Sequence, residues 1–581
     1  MIQNTSFQKK VVYLGLIALL MIPLYLIGHP ATGGLNASPG GQLAQLRSDY
    51  DLAPSELGDI DPASESMKLA TLGMRGVAAN ILWTKANHYK KTKDWEKLVA
   101  SVKQMAKLQP NFVSIWEFQS HNLSYNISAE HDDYKFRYLW VKKGVEFLLK
   151  GTRYNRKESK LPWTVGWYTG QKFGRADEHR QFRVLFPDDE DFHDQLAKHV
   201  TMDDARGGRE NKPDNWLTSR LWFDAAYTIV ETADAPIRGK APHIFYSDGP
   251  KSLMNYATAI ESEGILGDIA EYAWKRAGDS WDRYGQRIVP HSTGIRFRLG
   301  DQQEAKTEVV RLVAQLDQLV PGLRARIVKE RTDSLTPEEQ AAMAKTYAEL
   351  TRPSEQMHRF EAEQKIQVSH EEVAERAPSN VKAAAFRLAK ETRAKEDEAV
   401  KIARYRENVN YDYWQARCRI EQLPRTVAAR EDVYLAKEKM KTAKLVEARQ
   451  LFESAWQKWG GIFKEHTVLA NRLTEDDLVE DIQVYMQLLE QLDEELPKEF
   501  ILQDLLDKFP PLSPKEQPPS GSAAVTDGTP AEKSEEGAAA APSKPDGDKP
   551  AEEKSKKDGD ASTDTAPTAD GESPATDVDS E

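Results

Sequence analysis

Few residues in this 581-residue chain are grouped in a way that could do chemistry. His193 and His199 are six positions apart, and at 3.6 residues per turn they fall on opposite sides of a helix, so they make no metal-ligand pair. The turn Asp188, Asp189, Glu190 and Asp191 offers the oxygen ligands that a hard cation takes, but the same composition is commoner in a solvated acidic turn. Glu261 and Glu263 flank Ser262; on a helix their carboxyls diverge, so they do not form the pair that general acid–base chemistry needs. Cys418 is the only cysteine, which rules out an internal disulfide or a thiolate metal cluster, and its helical surroundings read as core. Neither GxSxG, Walker A, GxGxxG nor HExxH occurs. No catalytic residue, cofactor or metal is expected from these patterns.

The aromatic residues are a better lead. Trp140, Tyr154, Trp163, Trp167, Tyr168 and Phe173 fall within 34 residues. Most aromatics at helical spacing are core. The remainder would line the concave face that helical arrays use for peptides or proteins, where aromatics serve as anchors. These six form the candidate partner-binding surface.

The elements that must position them are helices. Residues 76–89 and 94–108 read as a helical hairpin. Val77, Ile81, Leu82 and Ala86 recur at helical spacing, as do Leu98, Val102, Met105 and Leu108. Asp94 is placed to cap the second helix and Pro110 to stop it. Phe112 opens the next unit, and Trp83 and Trp116 stand 33 residues apart. A partner helix is expected from Tyr134 to Lys150, ending at Gly151, and a third opening at Trp163.

A period near 34, with Ala86, Tyr89 and Pro110 at the small, aromatic and proline positions, resembles the tetratricopeptide repeat. The stretches LGMRGVAANILW at 72–83 and LQPNF at 108–112 are similar to membrane-anchored bacterial repeat proteins, and MNYATAIESEGILG at 254–267 to uncharacterised planctomycete-type proteins. The resemblance covers about a quarter of the chain. It implies helical-hairpin repeats and no particular activity.

Beyond this tetratricopeptide-like region, 67–200, a second aromatic-rich helical region spans 201–300. There Ala270, Trp274, Ala277, Trp281 and Tyr284 mark one core face, while His243 to Tyr246 reads as an extended connector. Residues 301–409 form a charged long-helix region in which Pro321 breaks the apolar period, giving a coiled coil or exposed hairpins. Residues 410–510 return to packed hairpins, with Leu445, Ala448, Phe452 and Ala455 on one face. The tail, 511–581, holds 7 Lys, 17 acids and no aromatic, and so carries −10 of the chain's −13. It is expected to be disordered. The remainder is nearly neutral, which argues against a nucleic-acid partner.

At the other end, residues 11–27 run 17 positions without a charge, about the length that spans a hydrocarbon core. Lys9 and Lys10 precede this anchor (11–28), and Arg47 is the one basic residue in the linker (29–66). The asymmetry places residues 1–10 in the cytoplasm and the body outside, on the cytoplasmic (inner) membrane. Leu35 before Ala37 and His29 before Ala31 make poor cleavage sites, so the helix reads as a retained single-pass anchor. The chain is thus expected to be an all-α protein with an N-terminal transmembrane helix, tethered to the bilayer, whose partner is another envelope or membrane protein. An envelope enzyme acting on cell-wall or glycan material in the Trp-rich region, or a structural spacer, are the alternatives.

Overall fold

The computed structural model describes residues 75–290, 296–466 and 472–508, with scattered positions between 15 and 46. The chain divides after Val525 into two units, and all described residues belong to the first. Most of the expected anchor, much of the linker and the whole expected tail lie outside the described residues. Leu16, Leu19, Leu20, Ile22, Leu26 and Ile27 are described; each is helical with an exposed side chain. Among the described residues no helix is long and apolar enough to cross a membrane.

The described chain is mostly helical. Helices α1 (Arg75–Lys91) and α2 (Trp95–Leu108) form the first hairpin. Lys93 turns it at φ 55°, and the Asp94 carboxylate accepts from the Lys97 N–H at 3.3 Å, satisfying one of the free N–H groups of a helix start. Leu98, Val102, Met105 and Leu108 are buried. In α1 the buried residues are Ala79 and Ala86, whereas Val77 and Ile81 are exposed, because α1 packs chiefly on α2 and leaves its other face open.

Helix α3 (Val113–His121) continues into a π-helical turn, Asn122–Ile127. Helix α4 (Tyr134–Tyr154) begins at the Asp133 cap and runs past Gly151, where the sequence suggested a stop. Gly151 is internal because Trp116 packs on it: a Cβ there would lie 2.7 Å from Trp116 Cγ. Helix α5 (Lys160–Trp167) runs into a second π-helical turn, Tyr168–Lys172. Short helices α6 (His179–Leu185) and α7 (Glu190–Ala197) and the antiparallel ribbon β1 (Arg206–Gly207) and β2 (Lys212–Pro213) follow.

Helices α8 (Asn215–Ala233), α9 (Pro242–Ser262) and α10 (Asp268–Gln286) pack side by side. His243 to Tyr246, expected to be extended, instead form the first turns of α9. Pro242 stands where a helix has no use for an N–H, and Phe245 and Tyr246 are buried. On α10, Ala270, Trp274, Ala277, Trp281 and Tyr284 are all buried as their spacing predicts. A second ribbon joins β3 (Val289–Pro290) to β4 (Arg296–Phe297).

In the charged region α11 (Gln302–Leu319) packs along the 27-residue α16 (Lys382–Asn408). Between them lie α12 (Leu323–Asp333), α13 (Pro337–Met343), α14 (Pro353–Ile366) and α15 (His370–Glu375). Gly322 at φ 71° follows Pro321 and separates α11 from α12, so the apolar period breaks there. A small core of Leu316, Ile327, Val373 and Ala385 holds this part together.

Helices α17 (Tyr411–Glu421), α18 (Pro424–Lys441), α19 (Leu445–Glu465), α20 (Arg472–Gln491) and α21 (Gln503–Lys508) complete the fold. Ala448, Phe452 and Ala455 face their core as expected, beside Trp456 and Trp459. Cys418 is buried, and burial pushes its thiol up to about 12, so it stays protonated and inert.

Candidate functional site: an aromatic seam beside two π-helical turns

The six sequence candidates do not share one surface. Phe173 is fully buried among Tyr138, Phe182, Phe186 and Phe192, with ring centroids 5.2 to 6.0 Å away. Tyr168 is buried too. Both therefore support the fold from behind and are not presented to solvent. Half-buried Tyr154 stacks on Trp116 at 5.9 Å, and Trp140 stands apart on α4, stacked on His131 at 5.9 Å beneath Lys143.

Trp163 and Trp167 do come together. One helical turn apart on α5, their rings stack at 5.5 Å with 23° between planes, and both are half-buried. Lys240, from the α8–α9 loop, places its ammonium 4.0 Å from the Trp163 ring and 5.0 Å from that of Trp167. Asp248 on α9 accepts from the Trp163 indole N–H at 2.8 Å and from Lys240 at 3.1 Å. The two rings are thus fixed by packing, a cation and a carboxylate.

The seam continues onto the first π-helical turn. Tyr125 meets Tyr168 edge to face at 5.4 Å and stacks with His121 at 4.8 Å. Lys172, at the end of the second π-helical turn, lies 5.0 Å above the Tyr125 ring. A π-turn widens the helix by one residue and shifts the side chains that follow; such turns are frequent at functional sites. Burial lowers the affinity of His121 for a proton, and Lys90 and Lys172 add to it, so His121 is held neutral at neutral pH. Burial also lowers Lys172, which Glu178 and Asp177 oppose. Burial raises the Tyr125 hydroxyl, against a smaller lowering from the Trp167 indole. The result is a strip of fixed rings edged by cations, suited to holding apolar side chains and acceptor groups.

His121, Tyr125, Lys172, Lys240 and Asp248 escaped sequence reasoning. Asp248 is 85 positions from Trp163, and no local pattern links them.

The acidic turn has a structural job: Asp189 caps α7 and binds Lys142 at 2.7 Å, while Asp188 pairs with Lys212. Glu263 pairs with Arg183, and Glu261 turns inward, so the two do diverge. Among the described residues no group of three His, Cys, Asp or Glu is placed to hold a metal ion. A cavity of about 330 Å³ lies by Arg153, Pro162, His199 and Trp222, with no carboxylate in its wall. Compared with known families the chain matches no family model, and compared with curated proteins it finds no match.

Proposed function

We propose that this chain is a membrane-anchored helical scaffold of the bacterial envelope. Its first hairpins are read as tetratricopeptide-like, and its body as capturing another envelope or membrane protein on the seam around Trp163 and Trp167. The observation that carries this reading is the stacked, half-exposed tryptophan pair. Its rings are already ordered by Lys240 and Asp248, so a partner that covers them gains apolar contact with little further loss of side-chain freedom. Aromatic anchors of this kind dominate binding energy at protein interfaces. The uncharged run at 11–27, with Lys9 and Lys10 before it, supports a tether with the body outside the cytoplasm.

The test is photo-crosslinking in intact cells. A crosslinker at Lys172 is expected to give one reproducible protein adduct that a Trp167→Ala variant loses. A crosslinker at exposed Val310 is expected to give none. Adducts that are equal at both positions, or that ignore the Trp167 substitution, would count against the seam as a docking surface.

A further inference from the structure

Lysines stand on the rings along the aromatic seam, but they are not alike. Lys240 lies on Trp163 and Trp167 and is bound to Asp248 at 3.1 Å, and Lys160 of α5 is bound to Glu117 of α3 at 2.9 Å. Lys90, in the last turn of α1, stands 5.3 Å from the Phe118 ring, which rests on Trp83 at 4.8 Å. Lys172 stands 5.0 Å from the Tyr125 ring. Among the described residues no carboxylate is within ion-pair distance of Lys90 or Lys172. Burial weakens the hold of Lys172 on its proton; Glu178 and Asp177 oppose this from farther off, and Glu178 is itself bound to Arg137. A half-buried ammonium without a counter-ion gains from an incoming carboxylate.

Phe118, His121 and Tyr125 follow one another at steps of three and four, so they share one face of α3 and its π-helical turn. The two lysines reach that face from different elements. Both add to the effect of burial in lowering the proton affinity of His121, so both stand near it. At 1.5 Å per residue Phe118 and Tyr125 are about 10 Å apart along the helix, and the ammonium groups over them are spaced on that scale. The oxygens of a single phosphate or carboxylate sit together on one atom and cannot meet both. A polyproline-type extended segment has three residues per turn and rises about 3.1 Å per residue, so it brings side chains three residues apart to one side at about 9 Å. Two carboxylates at that spacing match the two lysines. Such segments dock on aromatic rings, and the His121–Tyr125 stack, with 4.8 Å between centroids, offers them here.

We propose that the stretch of the seam from Lys90 to Lys172 binds an extended acidic segment of a partner protein: two carboxylates three residues apart meet the two ammonium groups, and the residues between them cover the His121–Tyr125 stack. The proposal rests on the reading of the seam as a docking surface and specifies what docks there.

Isothermal titration of the full-length protein with peptides of equal length tests it. In the first peptide a proline and a leucine separate two glutamates; in the others the glutamates are replaced by glutamines, set next to each other, or exchanged for a single phosphoserine. Saturable binding of the first is expected, weakened about threefold in Lys90→Gln, about threefold in Lys172→Gln and about tenfold in the double variant, the scale of two exposed ion pairs. Lys329→Gln, at an exposed position of α12, is expected to change nothing. Lys90 is exposed, so its substitution leaves the fold in place, which an unchanged urea midpoint verifies. No saturable binding of the first peptide, equal binding of the glutamine or adjacent-glutamate peptide, tighter binding of the phosphoserine peptide, or binding indifferent to Lys90→Gln would overturn the proposal. In cells, a crosslink from Lys172 that Trp167→Ala abolishes but Lys90→Gln leaves at full yield overturns the acidic partner and keeps the seam as a docking surface; no crosslink at all overturns both.

Discussion

The Trp274 indole N–H donates to Glu261 Oε1 at 2.9 Å in the interior, where the last turn of α9 meets α10, and the carboxyl of Glu421 from α17 acts on the same buried space. Arg430 binds Glu421 at 2.7 Å, and Arg417 lies on it at 3.4 Å and over the Trp274 ring. Burial pushes Glu261 up to about 8, with Glu421 as the second cause; burial works the same way on Glu421, but there Arg430 and Arg417 outweigh it and keep that carboxyl below the usual range. At neutral pH the pair therefore holds one proton, on Glu261.

That arrangement fixes a sign. The folded protein keeps a proton on Glu261 that the unfolded chain releases near 4.5, so the folded state binds more protons between about 4.5 and 8. Stability from this group is complete below that window and falls as pH rises through it, by a few kcal/mol in all. Glu261→Gln keeps an acceptor for Trp274 and removes the titration. Urea midpoints measured from about 6.5 to 8, the part of the window above the titration of His243, are expected to decline in the wild type and to decline much less in the variant. Parallel declines would show that another group is responsible.

Close helix approach at Gly144 gives a second expectation. A Cβ there would stand 2.0 Å from Ser124 Oγ and 2.9 Å from the Ser120 carbonyl, the latter being backbone that cannot step aside. Gly144→Ala should cost about 1–3 kcal/mol by overpacking α4 against the first π-helical turn, read as a lowered thermal midpoint. A double variant with Ser124→Ala should recover only the hydroxyl part of that loss.

The same close approach explains what was legible in the sequence. Leu98, Val102, Met105 and Leu108 announce their helix and its buried face, and Trp274, Trp281 and Tyr284 do the same for α10, because periodicity reports a face directly. Gly151 misled, since a glycine that ends a helix and one that admits Trp116 look alike in one dimension. His243 to Tyr246 misled because the burial that makes them helical is supplied by Tyr227, on a different helix. Of the candidate site, only the Trp163 and Trp167 spacing could be read. The partners that give the pair its geometry, Lys240 and Asp248, arrive from a loop and helix far along the chain.

Arg183 joins three elements. Its buried guanidinium bridges Asp214 at 2.9 Å and Glu263, and donates to Asn215, so α6 is fastened to the start of α8 and the end of α9. Burial is the largest single effect and opposes its charge, but Asp214 and Glu263 together outweigh it and hold the guanidinium protonated. Arg183→Leu would leave Asp214 with only the Trp216 and Leu217 N–H groups as partners and is expected to cost about 1–3 kcal/mol. Chemical denaturation measures it; a loss below about 1 kcal/mol would mean that the network contributes little.

The acid limb should depend on His243. Its ring lies flat on Tyr405 at 4.1 Å, with Asn408 Nδ2 3.5 Å from Nε2, joining α9 to α16. Burial, helped by Lys251, brings its pKa down to about 4 from 6.5. The unfolded chain then binds the extra proton, so this contribution is present above about 6.5 and is lost as pH falls toward 4. His243→Phe keeps the stacking and should flatten the acid limb of the same urea series, leaving the alkaline limb set by Glu261 unchanged.

Lys240 tests the seam most directly. Its ammonium covers the tryptophan pair and is held there by Asp248, so it occupies the position that a partner's cationic side chain would take. Lys240→Ala should lose about 0.5–2 kcal/mol of stability, the range for a partly desolvated cation–π contact. It should also shift tryptophan emission to the red as water reaches the rings. If the seam docks a protein through its rings, the crosslink from Lys172 should strengthen in Lys240→Ala and vanish in Trp167→Ala. If Lys240 is itself part of the docking contact, both variants should weaken it. A crosslink that neither variant changes would leave the pair a packing element of α5 and nothing more.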